Sequence, residues 1–360
     1  MASILFTPIT LAGLELRNRI VVAPMCQYSA REGCATDWQL MHLGQFSVSG
    51  VGLLIMEMTN VQANGRITPY CMGLYNDENE RALAKVVDFI GHYGTTRLCI
   101  QLAHAGRKAS TAAPWDGRAG LTPEQGGWET VAPSALAFSD DYIVPRALES
   151  EEVGALVDDF AAAATRADRL GIAAIELHGA HGYLLHQFLS PLSNQRQDQY
   201  GGSLENRMRL PLAVFEAVRE VWPSHKPLGF RVSATDGAEG GWDVAQTIEF
   251  AKALKARGCD WIDVSSGGLV DYQAITPGPG YQVPLASEIR AASGLPTMAV
   301  GMITEARQAE QILSGGHADM IALARGMLWD PHWAWHAAHT LGEPDKAVYP
   351  NQYLRCNPRL

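Results

Sequence analysis

His178, His181 and Tyr183 fall within six positions, bracketed by Gly179 and Gly182, directly after a short apolar run from Gly171 to Leu177. Two imidazoles and a phenol that close together can grip one polarised oxygen and deliver one proton, provided the backbone turns tightly. Glycine permits that turn. An isolated His or Tyr after a strand is more often a satisfied core group, but three polar donors set between glycines favour chemistry. His-x-x-His is also a chelating spacing. No carboxylate or third histidine stands beside it at ligand spacing, so no metal is expected.

An apolar run that turns abruptly polar reads as a buried parallel strand emptying into a catalytic loop, which makes it one strand of a larger set. Seven more such runs occur. They are Ile20 to Ala23, Gly52 to Met58, Arg97 to Leu102, Lys226 to Ser233, Trp261 to Ser265, Pro296 to Val300 and Asp319 to Leu323. Helical periodicity separates them: Trp38 to Ser49 capped by Asp37, Glu78 to His92 capped by Asp77, 151 to 170, and a helix from Leu204 capped by Ser203. Ala245 to Arg257, Pro284 to Ala292, Thr304 to Ser314 and His332 to His339 complete the series. Eight short apolar strands alternating with helices predict an α/β fold of the closed (β/α)8 TIM-barrel type, with a doubly wound sheet as the runner-up. From Ala109 to Ser150 the chain is rich in Gly, Pro, Ser and Trp, too long for an ordinary connection, and reads as a lid excursion after the third strand. Residues 1–360 are expected to form one domain, with 343–360 as a C-terminal tail.

Composition narrows the function class. Formal charge is −10, and 47% of residues are hydrophobic, with no apolar run near the ~20 residues a bilayer requires. Nucleic acid and anionic membranes are therefore poor partners, since both call for a basic face. Six scattered cysteines without a Cys-x-x-Cys pair fit a reducing compartment. Met1 to Arg17 shows no charged start or cleavage site, so a cytoplasmic location is expected.

In a barrel the C-terminal ends of the strands carry the site, and odd polar residues collect there. Cys26 and Tyr28 follow the first strand, Thr59 and Asn60 the second, Gln101 and His104 the third. Ser265 and Ser266 follow the sixth, Gly301 the seventh, and Ala324 and Arg325 the eighth. Arg231 lies inside an otherwise apolar strand, where a guanidinium is costly without an anion; Glu57 and Asp263 are candidate protein partners. Small-residue turns after strands six to eight offer backbone N–H groups to a phosphate, and Arg325 adds charge. No Gly-x-Gly-x-x-Gly follows a strand and no Gly-Lys pair exists, which removes an intrinsic dinucleotide fold and a P-loop. Lys108, beside Arg107, is a weak candidate for a Schiff base.

The stretches His178 to Tyr183 (His-Gly-Ala-His-Gly-Tyr) and Ser190 to Arg207, with Ala23 to Tyr28, Gln101 to Lys108 and Gln352 to Arg355, resemble the Old Yellow Enzyme family of FMN-dependent ene reductases. The likeness covers nearly the whole chain and is strongest to the thermophilic-like, bacterial short-chain branch. It implies FMN bound non-covalently across the barrel mouth and NADPH or NADH as co-substrate. Ala23, Pro24, Met25 and Cys26 would run along the flavin, Gln101 would meet its pyrimidine edge, and Arg231 would face N1 and O2. Gly301, Ala324 and Arg325 would hold the phosphate; the family often has Gly where Ala324 stands. Cys26 would tune the potential, and Asn60 stands where this branch has a smaller residue.

The same resemblance implies that His178 and His181 bind the oxygen of an activated alkene (enone, enal, maleimide or nitro compound), that Tyr28 assists, and that Tyr183 protonates the α-carbon. Arg355 matches an arginine that this branch sends into a neighbouring subunit, implying a homodimer or homotetramer. The competing readings are a flavin-binding redox sensor using Cys26 and a flavin-free lyase or hydrolase using the histidines.

Overall fold

Strands apolar on both faces need cover on both sides, and in the computed structural model, which describes residues 3–357, they find it by closing on themselves inside a ring of helices. A hairpin of β1 (Ile9–Leu11) and β2 (Leu14–Leu16) comes first, then β3 (Ile20–Val22), α1 (Asp37–Ser47), β4 (Leu53–Asn60), α2 (Asp77–Tyr93) and β5 (Arg97–Ala103). The excursion carries only β6 (Val131–Ala132) paired with β7 (Arg146–Ala147) and short 3-10 turns. The alternation resumes with α3 (Ser150–Arg169), β8 (Ala174–Gly179), α4 (Leu184–Leu189), α5 (Leu204–Val221), β9 (Leu228–Ser233), α6 (Val244–Ala256) and β10 (Trp261–Ser265). It ends with α7 (Val283–Ser293), β11 (Thr297–Ala299), α8 (Ala306–Ser314), β12 (Met320–Leu323), α9 (Arg325–Trp329) and α10 (Trp333–Thr340).

The parallel strands β3, β4, β5, β8, β9, β10, β11 and β12 neighbour one another in chain order, and β12 returns to β3 through Ile321 opposite Ile20. The barrel is closed, and the open-sheet alternative falls. Leu11 and Leu16 of the hairpin pack with Val21, Leu53, Cys99, Trp261 and Met298, sealing the N-terminal end. A hairpin of three-residue strands is too short to show an alternating pattern, which is why the sequence does not announce it.

Several boundaries differ from expectation for local reasons. Thr36, not Asp37, caps α1, because its hydroxyl accepts from Trp38 N while Gln39 Oε1 accepts from Thr36 N at 2.9 Å. Asn76, not Asp77, caps α2 by accepting from Asn79 N at 2.8 Å, and Asp77 instead pairs with Arg166 at 2.6 Å. Gly171 adopts a left-handed φ of 76° in the turn that ends α3, so the fourth barrel strand starts at Ala174 and His178 lies within it. Ser203 caps α5 as expected.

Candidate active site

Successive strand residues face opposite sides, so the interior cluster fixes which residues look into the barrel. Cys99, Ala174, Trp261 and Met298 fill the lower interior. Two positions further on three of these strands stand Gln101, Glu176 and Asp263, and His178 and Ser265 lie two positions higher again. Arg231 joins that column, register partner of both Asp263 and His178. Gly229 below it leaves room for Trp261, whose ring would lie 2.0 Å from an added Cβ. A bulge between Met56 and Met58 displaces Glu57 from this pattern, and its carboxylate accepts from Gln27 N and Gln39 Nε2 instead of meeting Arg231.

Of the two anions considered for Arg231, the structure brings up Asp263, with Nε 3.1 Å from Oδ2. The alignment is too poor for a hydrogen bond. Arg231 Nε and both Asp263 oxygens remain without one, although all three are buried. Glu176, which sequence reasoning missed, sits in the same column and accepts from Gln101 Nε2 at 2.8 Å and Trp261 Nε1 at 3.3 Å. Burial first, then Asp263, pushes its carboxyl up to about 8, against the pull of Arg231. The clue was its parity with His178. Arg231 opens into a cavity of about 360 Å³ whose walls include Ser265, Gly301, Ala324, Arg325 and Gly326, so the expected phosphate residues share one space with the guanidinium.

Above this level the three rings of the catalytic loop gather. His178 meets the rings of His181 and Tyr183 edge-on, each with centroids 5.1 Å apart. His181 takes a left-handed φ of 57°, a cost of about 1–2 kcal/mol for a residue with a Cβ. Three contacts hold it there: His181 N donates to Ser233 Oγ at 3.0 Å, its Nε2 lies 2.7 Å from Ser265 Oγ, and its carbonyl accepts from Lys108 Nζ at 3.0 Å. Lys108 also donates to Gly268 O at 2.8 Å, so this lysine clamps two loops and is no free nucleophile. A Cβ at Gly182 would lie 2.2 Å from Gly268 O, which explains both glycines, since the loops touch backbone to backbone.

Burial, helped by Arg231, holds both imidazoles well below their usual range, so they are neutral. Burial, with Cys26 and Tyr28 adding to it, raises the Tyr183 phenol well above its usual value and keeps its proton on. Tyr28 and Cys26 pack with Tyr183 in one small cluster. Burial, Cys71 and Glu57 raise the Cys26 thiol far above the reactive range, which disfavours a sensor thiolate. Ala23, Pro24 and Met25 lead from β3 to this cluster, Ala23 N bonding Leu323 O at 2.9 Å.

Other expected residues are placed differently. Asn60 is fully buried, and its Nδ2 donates to Met72 O at 2.8 Å while Oδ1 has no partner. His104 is a scaffold group: its Nδ1 accepts from Gly106 N at 3.0 Å and its Nε2 faces Gln62 Oε1 at 3.1 Å. Arg355 is exposed on the tail and has no hydrogen bond or ion pair among the described residues. Residues 358–360 of the tail lie outside the described residues. Gln282 was not anticipated; its Oε1 accepts from Ser266 Oγ at 2.7 Å and its Nε2 donates to Val300 O at 2.9 Å.

The family described as NADH:flavin oxidoreductase / NADH oxidase matches residues 4–343. The chain is 45% identical over 353 residues to an NADPH dehydrogenase of Listeria innocua, covering 98% of each, and 41% identical over 357 residues to that of Geobacillus thermodenitrificans, covering 99% of each. Among solved structures it resembles morphinone reductase (TM-score 0.79, 29% identity, 94% of this chain and 90% of that one). It also resembles the Old Yellow Enzyme homologue of Zymomonas mobilis (TM-score 0.78, 26% identity, 93% and 92%). FMN fits the residues present: Arg231 carries a buried Nε without a hydrogen-bond partner, and it lines a cavity that also has Arg325 and Gly301 in its walls. The chain thus belongs to the Old Yellow Enzyme family, and the protein is an FMN-dependent NAD(P)H oxidoreductase.

Proposed function

We propose that the protein is an ene reductase acting on activated alkenes such as enones, enals, maleimides and nitro compounds. Bound FMN, reduced by NAD(P)H, supplies the hydride that reaches the β-carbon. His178 and His181 hold the carbonyl or nitro oxygen, and Tyr183 passes its phenolic proton to the α-carbon. A neutral phenol can donate to an enolate-like carbon, and neutral imidazoles can donate to an oxygen gathering charge. Arg231 is the cation for the electron-rich edge of the flavin, Gln101 meets its pyrimidine side, and Gly301, Ala324 and Arg325 take its phosphate.

Ser265 sets the tautomer of His181 in this reading. Gln282 Oε1 accepts from Ser266 Oγ at 2.7 Å and from Ser265 Oγ at 3.2 Å, and Ser265 Oγ lies 2.7 Å from His181 Nε2. With its one proton given to Gln282, Ser265 accepts from His181 Nε2–H, so Nε2 carries the proton that His181 can offer the substrate oxygen. Tyr28 steadies the same oxygen, and the nicotinamide and the alkene use the one space in turn. Morphinone reductase has been solved with tetrahydroNAD, consistent with such sharing. Arg355, exposed and without a hydrogen bond or ion pair among the described residues, reaches the site of a second copy.

The observation that carries the reading is the edge-on triad of His178, His181 and Tyr183 beside the Arg231 cavity. Anaerobic mixing tests it. NADPH should bleach the yellow protein and 2-cyclohexenone should restore the colour with formation of cyclohexanone. Bleaching that only oxygen reverses would defeat the ene-reductase reading.

A further inference from the structure

Beyond Tyr183 the excursion encloses a second cavity of about 170 Å³, lined by Tyr28, Lys108, Arg118, Phe138, Tyr142 and Tyr183 among others. Two of these are cations. Lys108 spends two donors on His181 O and Gly268 O, with Nζ 4.3 Å above the Phe138 ring. Arg118 has no hydrogen bond or ion pair among the described residues, and the exposed carboxylates of the same segment, Asp116 and Asp141, pair with neither cation.

The loop that carries Arg118 is built to hold it. Ala112 N donates to Ala119 O at 2.9 Å and Leu121 N to Ser110 O at 2.7 Å, with a bridge between Thr111 and Gly120. At the tip, Trp115 packs edge-on against Tyr28 with centroids 5.9 Å apart. Arg118 itself takes a left-handed φ of 62°, a conformation a side chain accepts only where the surrounding loop imposes it. The result is a guanidinium and an ammonium on the walls of a space that also contains the proton donor.

We propose that this cavity takes an anionic oxygen group, so that the preferred alkene carries a carboxylate on the substituent remote from the oxygen held by His178 and His181. The assignment of the ligand as an alkene rests on the ene-reductase reading; the anion site itself does not. Arg118 offers a planar fork suited to a carboxylate, with Tyr142 as a second donor, and Lys108 adds charge from beneath. The volume is well below the ~300–1,000 Å³ of a drug-sized site, so the space suits a small substituent and not the adenosine half of a dinucleotide. A dinucleotide phosphate is the other source of the same chemistry, and the test separates the two.

Calorimetric titration of the holoenzyme with 4-hydroxybenzoate and with 4-hydroxybenzamide compares probes of equal shape that differ in charge. Wild type should bind the carboxylate about tenfold more tightly, an advantage that added salt diminishes because Arg118 is exposed. Arg118→Gln should reduce the preference to about twofold or less, and Arg118→Lys should restore part of it. Equal binding of the two probes by wild type, or an undiminished preference in Arg118→Gln, overturns the proposal. So does a variant that keeps the preference but needs more NADPH for anaerobic flavin reduction, since the cations would then serve the dinucleotide phosphates. A preference intact in a holoenzyme that reduces no enone overturns the alkene assignment alone.

Discussion

Gln101 donates from Nε2 to Glu176 Oε1 at 2.8 Å, and the two are register partners on neighbouring barrel strands. With Nε2 turned to the carboxyl, Gln101 Oε1 is left as the acceptor for a ligand at the mouth. Glu176 in turn belongs to a buried group with Arg231 and Asp263, two acids and one base stacked under the site. One cation does not neutralise two carboxylates, and in a low-dielectric interior the surplus favours a proton on Glu176.

That proton makes stability depend on pH. The Glu176 carboxyl is raised to about 8 in the folded protein, so between its ordinary value near 4.5 and 8 the folded state holds a proton that the unfolded state has released. Stability from this group is full at low pH and declines as pH rises toward 8. Glu176→Gln, neutral at every pH, should flatten that decline. Melting temperatures of both proteins from pH 5 to 9 should diverge in favour of the variant at the alkaline end, and parallel curves would show that Glu176 is ionised throughout.

Much of this was legible beforehand, and what was not has a physical reason. The eight strands, their order and the gathering of polar residues at their C-terminal ends follow from short apolar runs spaced by helices, because burial on both faces writes a continuous signal. Arg231 announced itself as a charge in an apolar strand, and Asp263 was one of its two named partners. Glu176 was overlooked because the carboxylate lies in the run that leads to His178, where attention goes to the histidines; counting in twos from Ala174 finds it. Lys108 looked like a possible nucleophile, and only the fold shows its ammonium clamped between His181 O and Gly268 O. Gln282 and Ser265 meet although they stand seventeen positions apart in sequence, a distance no local pattern spans.

In the proposed reaction Tyr183→Phe removes the proton donor and little else, since the ring still packs edge-on with His178. Stopped-flow traces should show flavin reduction by NADPH close to wild type and reoxidation by 2-cyclohexenone slowed by about 10²-fold or more. A nitroalkene, whose product anion is stable without protonation, should lose much less. Equal slowing of both half-reactions would remove Tyr183 from the proton step.

Ser265→Ala deletes the acceptor for His181 Nε2–H and leaves the backbone bond from His181 N to Ser233 in place. Nitrogen-15 spectra of His181 should change from the Nε2–H tautomer toward a mixture, and KM for the enone should rise about tenfold while kcat changes less. Ser265→Thr retains the hydroxyl and should recover the wild-type spectrum. A His181 signal that is identical in wild type and Ser265→Ala would mean that the serine does not choose the tautomer.

Lys108 provides a test in which pH acts in the opposite sense. Burial, with Arg107 and Arg118 nearby, pushes its ammonium down to about 7 from an ordinary value near 10.5. Between pH 7 and 10.5 the unfolded chain holds a proton that the folded one has lost, so this group lowers stability below pH 7 and the penalty fades as pH rises through that window. Lys108→Met should remove this rising slope, at the cost of both carbonyl bonds. The double variant Glu176→Gln with Lys108→Met should therefore show the flattest profile of all. An anion seated against Arg118 should raise the Lys108 value, and 4-hydroxybenzoate binding near pH 7.5 should take up protons. Titrations in buffers of different ionisation enthalpy read that uptake directly, and it should vanish in Lys108→Met; uptake unchanged by the substitution would place the titrating group elsewhere.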